Sequence, residues 1–547
     1  MFPLRRPLTI ALAALLIALA ASLGAWAGPD PDSLPDMPLP LETRPSRSPS
    51  PEALPSPAAS PEASPVPPPR ATPSPEKPPR PATLNAAPVR SGFTPVLDLR
   101  IAPEVYDFFA PPTPRENAYG FLGVRARPAL TYTGKNWDAR LQIQNVLALG
   151  LPERGVAPPP AGSLGQGGAY YGLALRPTFD TLGVRQLFVR IGAPTGALGA
   201  PTGSALKVGR FDYSGGMEVA AQDGVIDWLK RERVSRRVIG QPDYNIFSRT
   251  FDGLRGDLDL GPAALTVFGG RPTQAEPHFA VEAHSVQTIN AALTVKQGTW
   301  LGPAEAQLFY NHLDDTRQVP QIDDRPAAVR KTIAAEGGDH VDTLGGHYVT
   351  HLGANGDLCV WYAHQTGRWG GQRQSADALM GEVGLQWPEA PLKPWVRAGY
   401  SIFSGDRNPT DGVHGTFAAE LADPRQRLNM YGYANLSDIV GQVLLTVTPQ
   451  LSLRADYHLY QLAASQDLWY SGSGVTQQKG ANGITGRPSG GSADLGRMLE
   501  TIVGYKLDAR NMFTLRWVNG WGGPVVRASF PRKTNANMII LQYDLSL

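Results

Sequence analysis

The chain has 547 residues, a formal net charge of +2 and one cysteine, Cys359. That charge supplies no global attraction to nucleic acid, and a lone thiol excludes an intrachain disulfide or a thiolate metal site. Hydrophobic residues make up 42% of the sequence. After the first 27 residues no run reaches the ~20 apolar residues of a spanning helix, which excludes a helical-bundle membrane protein.

Residues 1–27 read as a secretory signal. Arg5 and Arg6 give the positive start, an apolar core runs from Leu8 to about Leu23, and Ala25-Trp26-Ala27 supplies the small-x-small cleavage pattern. The apolar core is short for a transmembrane anchor, and no cysteine follows it to carry a lipid. A mature protein without helical spans is therefore soluble after export, or it is a β-barrel, whose expected location is the bacterial outer membrane, reached through a cleaved signal peptide. Residues 28–92 are dominated by Pro, Ser, Ala and Glu. Such a segment buries too little apolar surface to offset its ordering entropy and is expected to be a disordered periplasmic linker. Fully extended it reaches about 200 Å, far enough to meet export or cell-wall partners.

From Phe93 to Leu547 the pattern changes to period two. Arg140, Gln142 and Gln144 alternate with Leu141 and Ile143. Ser452, Arg454, Asp456 and His458 alternate with Leu451, Leu453, Ala455, Tyr457 and Leu459. Ile539, Leu541, Tyr543, Leu545 and Leu547 are separated by Gln542, Asp544 and Ser546 in the same way. These runs predict strands with one wet and one dry face. Thr448-Pro449-Gln450 and Asp508-Ala509-Arg510-Asn511 predict tight turns, whereas SGDRNPTDGVHG and SGSGVTQQKGANGITGRPSGG predict long polar loops. Short turns at one end and long loops at the other mark a transmembrane β-barrel. Tyr132, Trp361, Trp387, Trp395, Tyr400, Trp469, Tyr505 and Trp517 are candidates for its aromatic girdles. At roughly 25 residues per strand and connection, residues 93–547 hold about 18 antiparallel strands, and bacterial barrels favour even numbers. The absence of a fixed 40–50-residue repeat counts against a propeller.

The densest charge lies between two strand-like runs, LKVGRF and FDGLRGDLDL, which begin at Leu206 and Phe251. Lys230, Arg231, Arg233, Arg236, Arg237, Arg249 and Arg255 fall between Asp227 and Arg255, opposed by Asp227, Glu232, Asp243 and Asp252. With Arg210 these cations form the candidate pore or anion-binding set, and Asp227, Glu232 and Asp252 are its acidic partners. Five of the cations lie within eight positions, so they repel one another unless anions or carboxylates come close. The expected arrangement has the insertion after Gly215 folded inward, with Arg210, Arg249 and Arg255 on the flanking wall. The competing arrangement is an outward loop that binds lipopolysaccharide phosphates.

Gly209, Arg210, Gly215 and Arg249-Thr250-Phe251-Asp252-Gly253-Leu254-Arg255 resemble the alginate export family of outer-membrane β-barrels. The resemblance continues through Ser404-Gly405-Asp406-Arg407-Asn408-Pro409, Asp411-Gly412, Gly415-Thr416-Phe417, Leu453-Arg454-Ala455-Asp456-Tyr457-His458, Asp467-Leu468-Trp469-Tyr470, Leu495-Gly496-Arg497 and Tyr505-Lys506-Leu507. It spans roughly residues 200–510 and implies an 18-stranded monomeric barrel with a charged pore for an anionic polysaccharide.

Catalytic signatures are not found: there is no G-x-S-x-G, H-E-x-x-H or phosphate-binding Gly-Lys-Ser/Thr loop. His347 and His351 stand four apart, a spacing that on a strand leaves them ~13 Å apart, too far for one metal. Asp406, Asn408 and Asp411 lack the glycine that a calcium loop needs. No cofactor, metal or catalytic residue is therefore expected. The reading is a non-enzymatic outer-membrane porin or export channel passing an anionic solute or polysaccharide, embedded among lipopolysaccharide and outer-membrane lipid, with no nucleic-acid partner. The alternative is a structural anchor or barrel enzyme tethered to the cell wall through the Pro-rich segment.

Overall fold

The computed structural model describes residues 91–192, 203–242, 245–274, 278–317, 322–326, 329, 338–419, 421–423, 428, 430, 432–472 and 484–547. The signal-peptide and linker expectations, up to residue 90, lie outside the described residues.

Eighteen antiparallel strands form one closed barrel. They are β1 (Gly92–Asp107), β2 (Ala118–Thr133), β3 (Trp137–Leu149), β4 (Thr178–Gly192), β5 (Ala205–Phe211), β6 (Phe251–Asp259), β7 (Ala263–Pro272), β8 (Val286–Val295) and β9 (Glu305–Asp315). The circuit continues with β10 (Asp339–Leu352), β11 (Gly356–Trp369), β12 (Gln372–Gln386), β13 (Trp395–Phe403), β14 (Leu436–Thr446), β15 (Leu451–Gln461), β16 (Asp494–Lys506), β17 (Asn511–Gly522) and β18 (Asn535–Ser546). Each strand pairs with its neighbour, and β1 closes the circle on β18 from Asp98↔Ser546 to Asp107↔Asn537. Closure leaves no unpaired edge, a requirement in hydrocarbon, where backbone groups find no water.

The period-two pattern is resolved in one sense all round. On β15, Asp456 and His458 are buried inside, while Tyr457 and Leu459 are exposed on the outer face. On β3, Gln142 and Gln144 point in and Leu141 and Ile143 point out. Exposed apolar side chains outside and buried polar ones inside invert the arrangement of a water-soluble sheet and fit a barrel whose solvent is lipid. Trp387, Tyr400, Tyr505 and Trp517 are exposed on that outer surface. Trp361 and Trp469 are not girdle residues: both are buried. Trp395 also turns inward, donating from Nε1 to Asp357 at 2.8 Å.

Turns at one end are short and built by local capping. Thr448 Oγ1 accepts from the amides of Gln450 and Leu451, and Asp508 Oδ1 accepts from those of Arg510 and Asn511. Connections at the other end are long and, by the usual orientation of such barrels, extracellular. Helix α1 (Gly165–Ala174) and the final helix (Pro524–Ser529) belong to these connections. An apolar cluster beneath them includes Tyr106, Phe108, Phe109, Phe121, Tyr170, Phe247, Trp469 and Phe530. Arg487 crosses this layer without a carboxylate partner among the described residues. Its guanidinium donates to the Ala161 carbonyl and the Ser471 hydroxyl and lies 4.7 Å from the Trp469 ring, joining loops far apart in sequence.

Buried carboxyls also hold the loop layer. Asp467 accepts from Thr416 Oγ1 at 2.6 Å, Tyr470 Oη at 2.7 Å and the Asp406 amide at 2.9 Å. Burial nevertheless pushes its carboxyl up to about 6. Asp324 is pushed up to about 7 by burial and by the nearby charges of Asp467, Asp406 and Asp323. A carboxyl raised in the folded state contributes most where it is protonated in both states. Its contribution falls as pH rises from the unfolded value near 4 through the folded value. Protection factors of the 404–419 and 462–472 amides, corrected for intrinsic exchange, should therefore fall between pH 4 and pH 7. Asp467→Asn should flatten that decline, and a pH-independent protection in the unsubstituted chain would refute it.

Candidate functional site

The insertion leaves the wall after Phe211 and returns at Phe251. Within it, helix α2 (Gly224–Leu229) starts at Asp223, whose carboxylate accepts from the amides of Val225 at 2.9 Å and Ile226 at 3.0 Å. Asp223 also meets His351 Nε2 of β10 at 3.0 Å. A π turn, Lys230–Val234, follows directly. Six helical residues are too few to be stable alone, so packing holds them. Ile226, Leu229 and Val234 are buried in one cluster with Phe309, Val349, Cys359 and Trp361 of the inner wall. The insertion therefore lies inside the barrel.

Its cations find their counter-charges on that wall. Lys230 Nζ pairs with Glu305 at 2.6 Å, with both side chains buried, and Glu305 also meets His347 Nε2 at 3.2 Å. Arg233 Nε donates to both oxygens of Glu382 at 2.7 and 2.8 Å. Glu382 is shared with Arg397 at 3.3 Å, and Arg397 in turn pairs with Asp357. Two glycines make room for this layer. A Cβ on Gly384 would fall 2.2 Å from Asp357 Oδ2, and one on Gly399 would fall 2.3 Å from Glu382 Cγ. Glycine in a strand interior is therefore required here so that the charged chains can lie flat on the backbone.

The remaining insertion residues are distributed around the same contact. Arg236 pairs with Asp423 at 3.1 Å, and Arg231 with Asp227 at 2.7 Å on the insertion itself. Glu232 reaches Arg454 of β15 at 3.0 Å, and Arg454 also holds Asp456 at 2.7 Å. The guanidiniums of Arg397 and Arg454 lie 5.2 and 5.4 Å from the Trp228 ring. Arg237 donates to the Arg233 carbonyl at 2.6 Å and sits among Trp361, Phe403 and Tyr433. Arg249 is buried and donates to the Ala422 carbonyl at 3.3 Å. The carboxylates that were missing from the insertion's own sequence are thus Glu305, Glu382 and Asp423.

The flanking residues divide. Arg255 points into the barrel and pairs with Asp257 at 2.8 Å. Arg210 and Asp252 form a two-pronged pair at 2.5 and 2.6 Å on the outer side of β5 and β6, on the face that exposes Val208 and Leu254. They do not join the other cations. Asp243 lies outside the described residues. His347 and His351 meet different carboxylates, and Asp406, Asn408 and Asp411 each accept from a backbone amide two residues on.

A second basic set was not singled out from the sequence. Arg100, Arg125, Arg127, Arg140, Arg185, Arg190 and Lys207 point inward from β1–β5, where the inward carboxylates are Asp98, Glu104 and Asp138. Arg100 pairs with Asp544 at 2.8 Å, Arg185 with Asp212 at 2.7 Å and Arg190 with Asp138 at 2.5 Å. In register, Arg190 stands opposite Lys207 and Lys207 opposite Arg255. Lys207 Nζ lies 4.5 Å from the Phe188 ring. The signal was present in Val124-Arg125-Ala126-Arg127, where arginine occupies alternate positions. These cations are spread over five strands, however, and never form a run.

Removing Glu382 takes a shared, buried counter-charge from Arg233 and Arg397 at once. Glu382→Ala should destabilise the barrel by about 3–5 kcal/mol, the usual result of breaking a buried pair from one side. Urea unfolding from lipid vesicles, followed by tryptophan fluorescence, measures it. A loss below about 1 kcal/mol would mean that the cluster behaves as a solvated surface pair.

OccK3 (OpdO) of Pseudomonas aeruginosa aligns over 83% of this chain and 95% of its own at 12% identity, with a TM-score of 0.47. OccK11 (OpdR) of the same organism aligns over 83% and 96% at 13% identity, also with a TM-score of 0.47. No curated protein matches the sequence. The family model described as Alginate export matches residues 170–539, which run from helix α1 into the last strand and include the whole insertion with its ion pairs. With 370 of 547 residues matched, the chain belongs to the Alginate export family of outer-membrane β-barrels.

Proposed function

We propose that this barrel is a channel for an anionic solute, with an alginate-like polyuronate as the preferred class, and that the solute follows the basic inner wall of β1–β6. The observation that carries this reading is the lopsided charge of the lumen. The acidic side, Glu305, Asp357 and Glu382, is covered by Lys230, Arg233 and Arg397. The opposite side keeps Arg190, Lys207 and Arg255 in one cross-strand row, bordered by Asp138 and Asp257. Like charges directly opposite one another are unfavourable unless an anion visits. A charged, narrow, low-dielectric passage raises the local concentration of the opposite sign, and several moderate sites in series allow exit. Arginine's planar fork suits repeated carboxylates.

In this reading Lys230, Arg231, Arg233, Arg236 and Arg237 fix the insertion and shape the lumen, and the passing anion meets Arg100, Arg140 and Lys207. Arg140 and Lys207 are only partly buried and have no carboxylate partner among the described residues. Reversal potentials in planar bilayers test this directly. Arg140→Gln with Lys207→Gln should lower anion over cation permeability by roughly twofold or more in dilute salt. Near 1 M salt, where the screening length is ~3 Å, the difference should vanish. A channel that is cation-selective before substitution, or indifferent to it, would overturn the reading.

A further inference from the structure

The outer surface carries its own organised charge. At the extracellular end of β8–β12 the apolar face stops, and paired titratable groups begin. Tyr310 and His312 of β9 both bond Asp342 of β10, at 2.5 and 2.8 Å. Tyr362 and His364 of β11 repeat the arrangement on Asp377 of β12, at 2.7 and 2.9 Å. Asp314 accepts from Gln287 and pairs with His340, each at 2.6 Å. Each of the three carboxylates thus already holds two partners.

Level with Asp314 and above Asp342 and Asp377 lies a row in strict register. His340 of β10 stands opposite Arg368 of β11, and Arg368 stands opposite Arg373 of β12. All three are exposed, and neither arginine has a carboxylate partner among the described residues. Cross-strand neighbours are ~5 Å apart at Cβ, and like charges so placed destabilise a sheet. Below the Asp342 and Asp377 belt, toward the periplasmic turns, Leu344, Leu379, Val383 and Leu385 are exposed on the same strands.

We propose that Arg368 and Arg373, with His340 beside them, bind the phosphate of a phosphorylated glycolipid of the outer leaflet, whose acyl chains lie along the Leu344–Leu379–Val383 strip. Three features select this occupant. The surface belongs to an outer-membrane barrel and faces lipid. The two arginines are placed to share one anion, which removes their mutual repulsion. The apolar strip begins where a headgroup ends and a hydrocarbon chain starts. A second protein copy would need carboxylates opposite the arginines, and the belt's own carboxylates are already occupied.

The test uses the full chain, delipidated in detergent and titrated with diphosphoryl lipid A, its dephosphorylated form or inorganic phosphate under native mass spectrometry. The diphosphorylated lipid should bind, and Arg368→Gln with Arg373→Gln should weaken it about tenfold or more, as expected for losing a charge-assisted contact. Arg497→Gln, an exposed arginine on the far wall, should leave binding unchanged. Heat-modifiable migration verifies that each variant is folded, and Arg373→Gln alone replaces the pair if the double variant is not. Four results would each overturn the proposal. They are unchanged affinity in the double variant, equal binding of the dephosphorylated lipid, saturation by inorganic phosphate alone, and a dimer that the double variant abolishes. The third would mark a free-anion site and the fourth a contact between copies.

Discussion

A carboxylate inside a membrane-spanning barrel must have a counter-charge, because leaving it bare in a confined, poorly hydrated space costs several kcal/mol. Glu305, Asp357, Glu382, Asp438, Asp456 and Glu500 line one side of this lumen. Part of the answer comes from neighbouring strands, through Arg397, Arg454, His458 and Arg516. The rest comes from a segment that is not part of the wall at all. Lys230 and Arg233 enter from the β5–β6 connection and complete the set. The inward course of that connection, its short helix and the glycines beneath it all follow from this single demand.

The same demand explains why charge remains elsewhere. An insertion that leans on the acidic side leaves the opposite side uncovered. There the charged inward residues of β1–β5 are predominantly cationic, and the few carboxylates present include Asp138, which pairs with Arg190. Ion pairs in a lumen therefore divide into two classes here. One class is closed, buried and structural, with Lys230–Glu305 as its clearest case. The other is partly open, as in Arg100–Asp544, where both side chains keep some exposure.

Much of this fold was legible in the sequence. Alternation around Leu451–Leu459, capped turns at Thr448 and Asp508, and long polar loops between strands are local signals, and each has one physical meaning. That five cations within eight positions need counter-charge was also legible, but whether the insertion turns inward or outward to find it was not. Which carboxylates supply it was not, because Glu305, Glu382 and Asp423 lie 75, 149 and 187 residues from Lys230, Arg233 and Arg236. The direction of Arg210 was hidden for a different reason. Parity along a seven-residue strand is set by where its neighbours start, and the bulge between Gln142 and Ile143 shifts the register nearby. The girdle assignment of Trp361 and Trp395 failed similarly: an aromatic near a strand end is equally suited to stack on a cation inside.

The brevity of β5 has a mechanical consequence for the membrane. Seven residues, Ala205–Phe211, rise about 23 Å along the strand and only about 18 Å along the barrel axis at a tilt near 40°. The apolar belt of such barrels is ~25 Å tall. Elsewhere around the wall, β1 and β2 have 16 residues each and exceed that height. A cylinder with one low side cannot match a uniform bilayer. The lipid next to β5 and β6 must thin, or the whole barrel must lean toward that side, and either response costs fractions of a kcal/mol per Å of mismatch. The barrel therefore carries a built-in direction within the plane of the membrane, with soft, compressed lipid beside the strand from which its insertion departs.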